Sequence, residues 1–252
     1  MDLNLKGKHA LVTGASRGIG KAIALGLKEE GVTVGVCARG AADLEKLKHT
    51  YPEISIYQGD LMKDYDREAI FNQFIQDHGS IDILVNNAGG SHGGVVEETS
   101  LDQFREAMEL NFHAAVHFSK LAVEQMKLNQ NGSIINISSI YGRESGGKPT
   151  YNSSKSALIS FIKSLAGEVI SSGIRVNGVA PGAILHPQGS WQRRLDENPE
   201  KIEQFVEEEI PAGRFGKPEE IADVVTFLAS ERSNWVVGAT LNVDGGQSYS
   251  NF

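Results

Sequence analysis

The chain has little of what would tie it to a membrane, a nucleic acid or a structural metal. Cys37 is the only cysteine in 252 residues, which excludes a disulfide within the chain and a thiolate-based metal site. Basic runs are missing as well. Lys and Arg number 24 against 32 Asp and Glu, a formal net charge of −8. That balance argues against binding a phosphate backbone and disfavours anionic membranes and acidic partners. No apolar run approaches the ~18 residues that a membrane helix requires. The opening "MDLNLKGKHALVTG" lacks a charged n-region followed by a long apolar h-region, the pattern of a secretory signal. A reducing, cytoplasmic setting is the expectation. With no linker, low-complexity tract or internal repeat, the 252 residues are expected to fold as one domain.

What is present is an ordinary globular composition, 40% apolar and 22% charged, arranged in alternation. Short β-rich runs read "HALVTG", "VTVGVCA", "ISIYQGD", "IDILVNNAG", "GSIINISS", "IRVNGVAPG" and "TLNVDGG". They are nearly continuously apolar, which marks strands buried on both faces of a parallel sheet. Helical patterns separate them. In "KAIALGLKEEG", Ile23, Ala24 and Leu27 form one apolar stripe and Gly31 supplies the stop. The spacing predicts a Rossmann-type, doubly wound α/β fold with seven mostly parallel strands and helices on both faces. One polar interval, about 186–211, interrupts the pattern. In it Asn198 and Pro199 read as N-cap and first residue of a helix carrying Ile202, Phe205, Val206 and Ile210 on one side. Such an insertion is a candidate lid; the same pattern suits a helix covering the sheet edge.

"VTGASRGIGKAIALGL" follows the first strand and opens the first helix. Gly14, Gly18 and Gly20 allow a tight turn and close backbone approach, and the helix start offers unpaired N–H groups to a pyrophosphate. In the first crossover of a βαβ unit, this spacing predicts a dinucleotide site. Asp60, "NNAG" and Ser139 end other strands and converge on the same crevice. The end of the second strand reads "VCARG": there is no acid at Cys37 or Ala38, then comes Arg39, and Arg17 in the glycine turn approaches the same ribose. Two guanidiniums suit a dianionic 2′-phosphate, so NADP(H) is expected over NAD(H). Asp43, the nearest downstream acid, lies on the next helix.

Together "TGASRGIG", "NNAG", Asn111, Ser139, "YNSSK" at 151–155, Pro181–Gly182 and the late "DGG" resemble the short-chain dehydrogenase/reductase superfamily, from Lys6 to about Gly246. "RFGKPEEIADVVTFLAS" followed by "VGATLNVDGG" is similar to its 3-oxoacyl-carrier-protein-reductase-like branch, whose members are commonly homotetramers. Tyr151 and Lys155 are one helical turn apart and share a face. A phenol pKa near 10 suits neutral-pH proton transfer poorly, and lowering it by ~3 units takes about 4 kcal/mol of differential stabilisation, which a nearby ammonium can supply in large part. The resemblance gives Tyr151 the role of general acid in carbonyl reduction and general base in alcohol oxidation. It has Lys155 hold the nicotinamide ribose, Ser139 bind the substrate oxygen, and Asn111 support Lys155 through water. Counting back from Tyr151 selects Ser138 instead, whereas alignment from the strand selects Ser139, and Ser139 is preferred.

The resemblance further implies cofactor contacts from Gly14, Ser16, Arg17, Gly18, Ile19 and Gly20 in the turn. It adds Ala38 and Arg39, Asp60 and Leu61 near the adenine, and Asn87, Ala88 and Gly89 by the ribose and nicotinamide. Tyr151, Lys155, Pro181, Gly182 and Ile184 complete the set. At 186 relatives often carry Thr where this chain has His186, which is left out of the site.

No metal is expected. His113 and His117 have a usable spacing but no further ligand, and a structural role is preferred. His92 in "GGSHGG" reads as a surface histidine or a substrate neighbour, and Trp191, Arg193 and Arg194 as surface residues or contacts to an anionic or extended substrate. The expected activity is hydride transfer between NADP(H) and a carbonyl or secondary alcohol, of the 3-oxoacyl-thioester type. The alternatives are a free ketone, a sugar or polyol, and, in another class, a non-catalytic dinucleotide-binding regulator. Where relatives present cations to an acidic carrier, this chain has Asn129, Gln130 and Ser172, which argues against carrier docking.

Overall fold

A computed structural model describes residues 2–251. The seven apolar runs are seven strands: β1 (His9–Thr13), β2 (Thr33–Ala38), β3 (Ser55–Gln58), β4 (Ile83–Asn86), β5 (Gly132–Ile137), β6 (Ile174–Pro181) and β7 (Thr240–Val243). All pair in parallel, in the order β3-β2-β1-β4-β5-β6-β7. The order reverses between β1 and β4, so the crevice beyond their carboxyl ends is the place where ligands bind in such sheets.

Helices cover both faces. They are α1 (Gly18–Glu29), α2 (Ala41–Thr50), α3 (Asp64–His78), α4 (Leu101–Met108), α5 (Ala114–Asn129), α6 (Pro149–Val169), α7 (Ser190–Glu197), α8 (Pro199–Glu209) and α9 (Pro218–Ala229). Ile23 and Leu27 of α1, Leu44 of α2 and Val225 of α9 pack with Val12, Val36 and Ile135. On the opposite face Phe74 of α3, Phe118 of α5 and Leu158 of α6 pack with Leu11, Leu84 and Ile134. Neighbouring strand residues such as Leu11 and Val12 thus enter different cores, as the period of two requires. This is why the central strands are apolar throughout: all six positions of β5 and all eight of β6 are buried.

Local signals agree with the ends of the elements. Gly31, at φ 80°, follows the end of α1 and donates its N–H to the Lys28 carbonyl. Asn198 caps α8 by accepting from the Lys201 N–H at 3.1 Å, with Pro199 in its first turn. Ile202 and Ile210 are buried there, and Phe205 and Val206 partly so. The polar interval holds a second helix, α7, none of whose eight residues is fully buried; its apolar face is the single pair Trp191 and Leu195, both partly buried. Between α4 and α5 the helix runs on through a π turn, Glu109–His113.

Candidate active site

The glycine turn is a fitted cradle. Gly14 and Gly18 take φ of 63° and 57°, the left-handed region that glycine reaches without a steric penalty. A Cβ on Gly14 would stand 2.7 Å from the Ala88 Cα, and one on Gly20 2.7 Å from the Gly14 oxygen. Asn87 clamps the turn, its Nδ2 donating to the carbonyls of Thr13 and Gly14, both at 3.0 Å. The Thr13 hydroxyl accepts from the Asn87 and Ala88 N–H groups at 3.0 and 3.1 Å. "NNAG" after β4 and the turn after β1 are thereby one unit. No side chain caps α1, which leaves its first N–H groups directed at the crevice and fits a dinucleotide diphosphate.

The remaining turn and tip positions are arranged around this cradle. Ser16 and Ile19 are partly buried, and Arg17 is exposed, donating to the Gln188 amide oxygen at 3.2 Å. At the end of β2, Ala38 is buried and Arg39 exposed. Asp60 turns its carboxylate back to the Met62 N–H at 3.2 Å, and the Leu61 carbonyl accepts from the buried Arg67 at 3.0 Å. Past β6, the Gln247 amide oxygen accepts from the Ala183 N–H at 2.8 Å and fills the space beside Gly182, next to Pro181. Ile184 is buried and bridges to Gly216.

On the other side of the crevice, Ser138 and Ser139 separate by the alternation of the strand. The Ser138 hydroxyl turns onto α6 and donates to the Lys155 carbonyl at 3.3 Å. Ser139 faces Tyr151, with which its hydroxyl hydrogen-bonds; it also accepts from the Tyr141 N–H at 3.2 Å. The Lys155 ammonium is buried, 5.6 Å from the centre of the Tyr151 ring, and donates to the Ile137 carbonyl at 2.7 Å. Burial pushes its pKa down to about 8. Burial also raises the Tyr151 pKa, with the Ser139 hydrogen bond opposing and the Tyr141 phenol adding to the rise. The expected lowering of the phenol by Lys155 is thus absent in the ligand-free protein. Desolvation, which penalises both charged forms, wins.

Asn111 sits in the π turn, 1% exposed. Its Nδ2 donates to the Gly90 and Ala107 carbonyls and its Oδ1 accepts from the Gly90 N–H, all at 2.9 Å. Both amide hydrogens are therefore committed, and only an Oδ1 lone pair remains for a further partner. A Cβ on Gly89 would lie 2.7 Å from Asn111 Oδ1 and 3.3 Å from Lys155 Nζ, so glycine is the residue that lets the two groups converge.

Three side chains outside the expected set come to this crevice. Tyr141 is half-buried, its pKa raised by burial and by Glu209 at the end of α8, with Arg194 of α7 opposing. Trp191 stacks on Phe205 at 4.6 Å and meets Phe215 at 5.4 Å, with Arg194 over its ring at 4.8 Å; Arg193 and Arg194 are both exposed. Trp191 thereby ties α7 to α8 and to the loop that carries Phe215. The His186 imidazole lies against Gly18, where a Cβ would meet its ring atoms at 2.7–3.0 Å. Only its loop position was legible, not this contact across 168 residues of chain. Exposed His92 stays nearby and receives the Thr150 hydroxyl on its carbonyl at 2.7 Å. His113 is exposed and His117 faces Glu68 at 3.6 Å; among the described residues no group of three or more His, Cys, Asp or Glu could hold a metal.

A parallel sheet with a glycine cradle and a Ser–Tyr–Lys cluster across its switch point defines a dinucleotide-type oxidoreductase class. The family model described as enoyl-(acyl carrier protein) reductase matches residues 14–248. An uncharacterized oxidoreductase of Thermotoga maritima is 38% identical over 98% of this chain and 99% of its own length. The 3-oxoacyl-(acyl-carrier-protein) reductase FabG of the same organism is 35% identical over 97% of this chain and 99% of its own. L-sorbose reductase of Gluconobacter frateurii, solved with NADPH and L-sorbose, superposes with a TM-score of 0.93 at 33% identity, covering 99% of this chain and 100% of that one. The chain belongs to the short-chain dehydrogenase/reductase superfamily, in its FabG-like branch, and is an oxidoreductase.

Proposed function

We propose that this protein uses NADP(H) to interconvert a carbonyl and a secondary alcohol. The observation that carries this is the Ser139–Tyr151–Lys155 cluster, with a phenol held protonated by burial. When bound, the nicotinamide supplies or accepts the hydride. Ser139 holds the substrate oxygen and Tyr151 donates its proton to that oxygen as the alcohol forms. Lys155, across from Gly89, holds a ribose hydroxyl, and Asn111 keeps Gly90 and the "NNAG" tip in register. Arg17 and Arg39 carry the preference for a 2′-phosphate, being exposed cations at the turn and at the end of β2. Relatives named as NADPH-bound support the same preference.

The substrate class that the FabG relatives support is a 3-oxoacyl thioester. A second reading, a keto-sugar or polyol, is favoured by the L-sorbose reductase likeness and by the half-buried Tyr141 phenol two residues past Ser139. The pair α7–α8, within about 186–211, acts as the lid. The protein works in the cytoplasm as a homotetramer, an assignment resting on the family; among the described residues no helix is long and apolar enough to cross a membrane.

The test is NADPH oxidation across a carbonyl panel that includes a 3-oxoacyl thioester, simple ketones and keto-sugars, with NADH and Tyr151→Phe as controls. Turnover should prefer NADPH and fall at least ~100-fold in the variant, the lower end for losing a general acid, while NADPH still binds. Equal rates in both proteins would sink the proton-donor role.

A further inference from the structure

We infer that His186 caps the diphosphate of the bound dinucleotide, closing the α7–α8 segment onto the cofactor itself. The imidazole lies directly against Gly18, the first residue of α1, with its Cε1 and Nε2 within 2.8 Å of the place a Cβ would occupy. That is the mouth of the glycine cradle, whose uncapped N–H groups face the crevice. The ring's orientation is fixed from behind: Nδ1 is 3.0 Å from the Pro187 carbonyl, and the ring fills the space beside Gly189. A second strut joins the same two segments, the 3.2 Å hydrogen bond from Arg17 to Gln188. Residues 186–189 therefore rest on residues 17–18 at two points, one of them an N–H-bearing ring.

The chemistry suits a dianionic diphosphate. A carbonyl can only accept, so the ring gives a proton at Nδ1 to Pro187; an imidazolium offers a second N–H at Nε2 to a phosphate oxygen. The α1 N–H groups approach the anion from one side, and His186 from the other. The lid's first residues then order when a dinucleotide arrives, and Ser190, the start of α7, is four residues on. The inference rests on the dinucleotide reading above and assigns one more residue of this chain to it.

The experiment is calorimetric titration of purified wild type, His186→Ala, His186→Asn and Arg39→Ala with NADPH, NADH and ADP-ribose, alongside apo melting temperatures. A lost charge-assisted hydrogen bond should raise Kd about tenfold or more. In His186→Ala this loss should be of similar size for all three ligands, because all three contain the diphosphate. His186→Asn, which retains a donor, should recover part of it. Arg39→Ala should lose affinity for NADPH alone. Unchanged or tighter binding in His186→Ala would overturn the inference and make the ring a plug of the empty cradle. A loss seen with NADPH and NADH but not with ADP-ribose would also overturn it, moving the contact to the nicotinamide. Failure of wild type to bind any of the three would remove the dinucleotide reading itself, and the inference with it.

Discussion

Lys155 shows how one residue can serve the site against the fold. Its ammonium is buried, its one acceptor among the described residues is the Ile137 carbonyl, and its pKa falls to about 8 from 10.5. A folded-state value below the unfolded one means that the unfolded chain binds more protons between roughly pH 8 and 10.5, so this residue's contribution to stability rises with pH across that window. Below it, the charged form costs the fold about 3 kcal/mol, from ~1.4 kcal/mol per pKa unit. Lys155→Met should therefore abolish turnover yet raise the melting temperature of the ligand-free protein at pH 7. With about 2–4 °C per kcal/mol for a chain of this size, several degrees are expected in calorimetry, less what the freed Ile137 carbonyl costs. A lower melting temperature would show that the hydrogen bond outweighs the desolvation. The residue types and spacing of this cluster were legible in the sequence; the sign of the Tyr151 shift was not, since it depends on how much water the folded chain excludes. Ser138 against Ser139 was legible only by alignment from the strand end, which the loop count from Tyr151 contradicted; strand parity says only that one of the two faces the crevice.

At the scale of elements, the central strands were readable because both of their faces are covered, while the edge strands β3 and β7 are only partly buried. Burial on two sides leaves a run such as "GSIINI" with no polar register to confuse with a loop. The stretches that escaped are those where tertiary contact, not local pattern, sets the shape. The Glu109–His113 π turn lies within one unbroken helical run and leaves no periodic signature, and α7 offers only Trp191 and Leu195 as a partly buried apolar pair. The glycine cradle joins two elements, and its strictness can be measured. A Cβ on Gly20 would crowd the Gly14 oxygen at 2.7 Å, the Ala15 Cα at 2.8 Å and the Asn87 amide that ties β1 to β4. Backbone atoms cannot swing aside as a side-chain tip can, so Gly20→Ala should destabilise by roughly 1–3 kcal/mol, the range for overpacking. Denaturant melts and NADPH titration together check this: stability and affinity should fall jointly. A stable variant that binds NADPH normally would mean that the two turns slide apart freely.

For the molecule as a whole, charge and placement bear on how substrate arrives. The net charge is −8, and the positions where relatives offer cations to a carrier hold Asn129, Gln130 and Ser172. Here Asn129 and Gln130 end α5 just before β5, and Ser172 precedes β6. Those are the amino ends of the strands, while Ser139 lies past the carboxyl end of β5, so within one chain these residues stand at the opposite end of the sheet from the crevice. Because the chain has a negative net charge and no cation at those three positions, an acidic carrier is expected to be slowed in its approach, not steered. If a 3-oxoacyl thioester is the best member of the panel, its carrier-bound form should show a kcat/KM no higher than that of a small thioester analogue. Its salt dependence should also have the unusual sign. Raising ionic strength from about 0.01 to about 0.15 M shortens the screening length from ~30 to ~8 Å, which weakens repulsion and should raise kcat/KM for the carrier substrate while leaving the small analogue unchanged. A rate that falls with salt would mean attraction at a docking face, for which the exposed Arg193 and Arg194 of α7 are the first candidates.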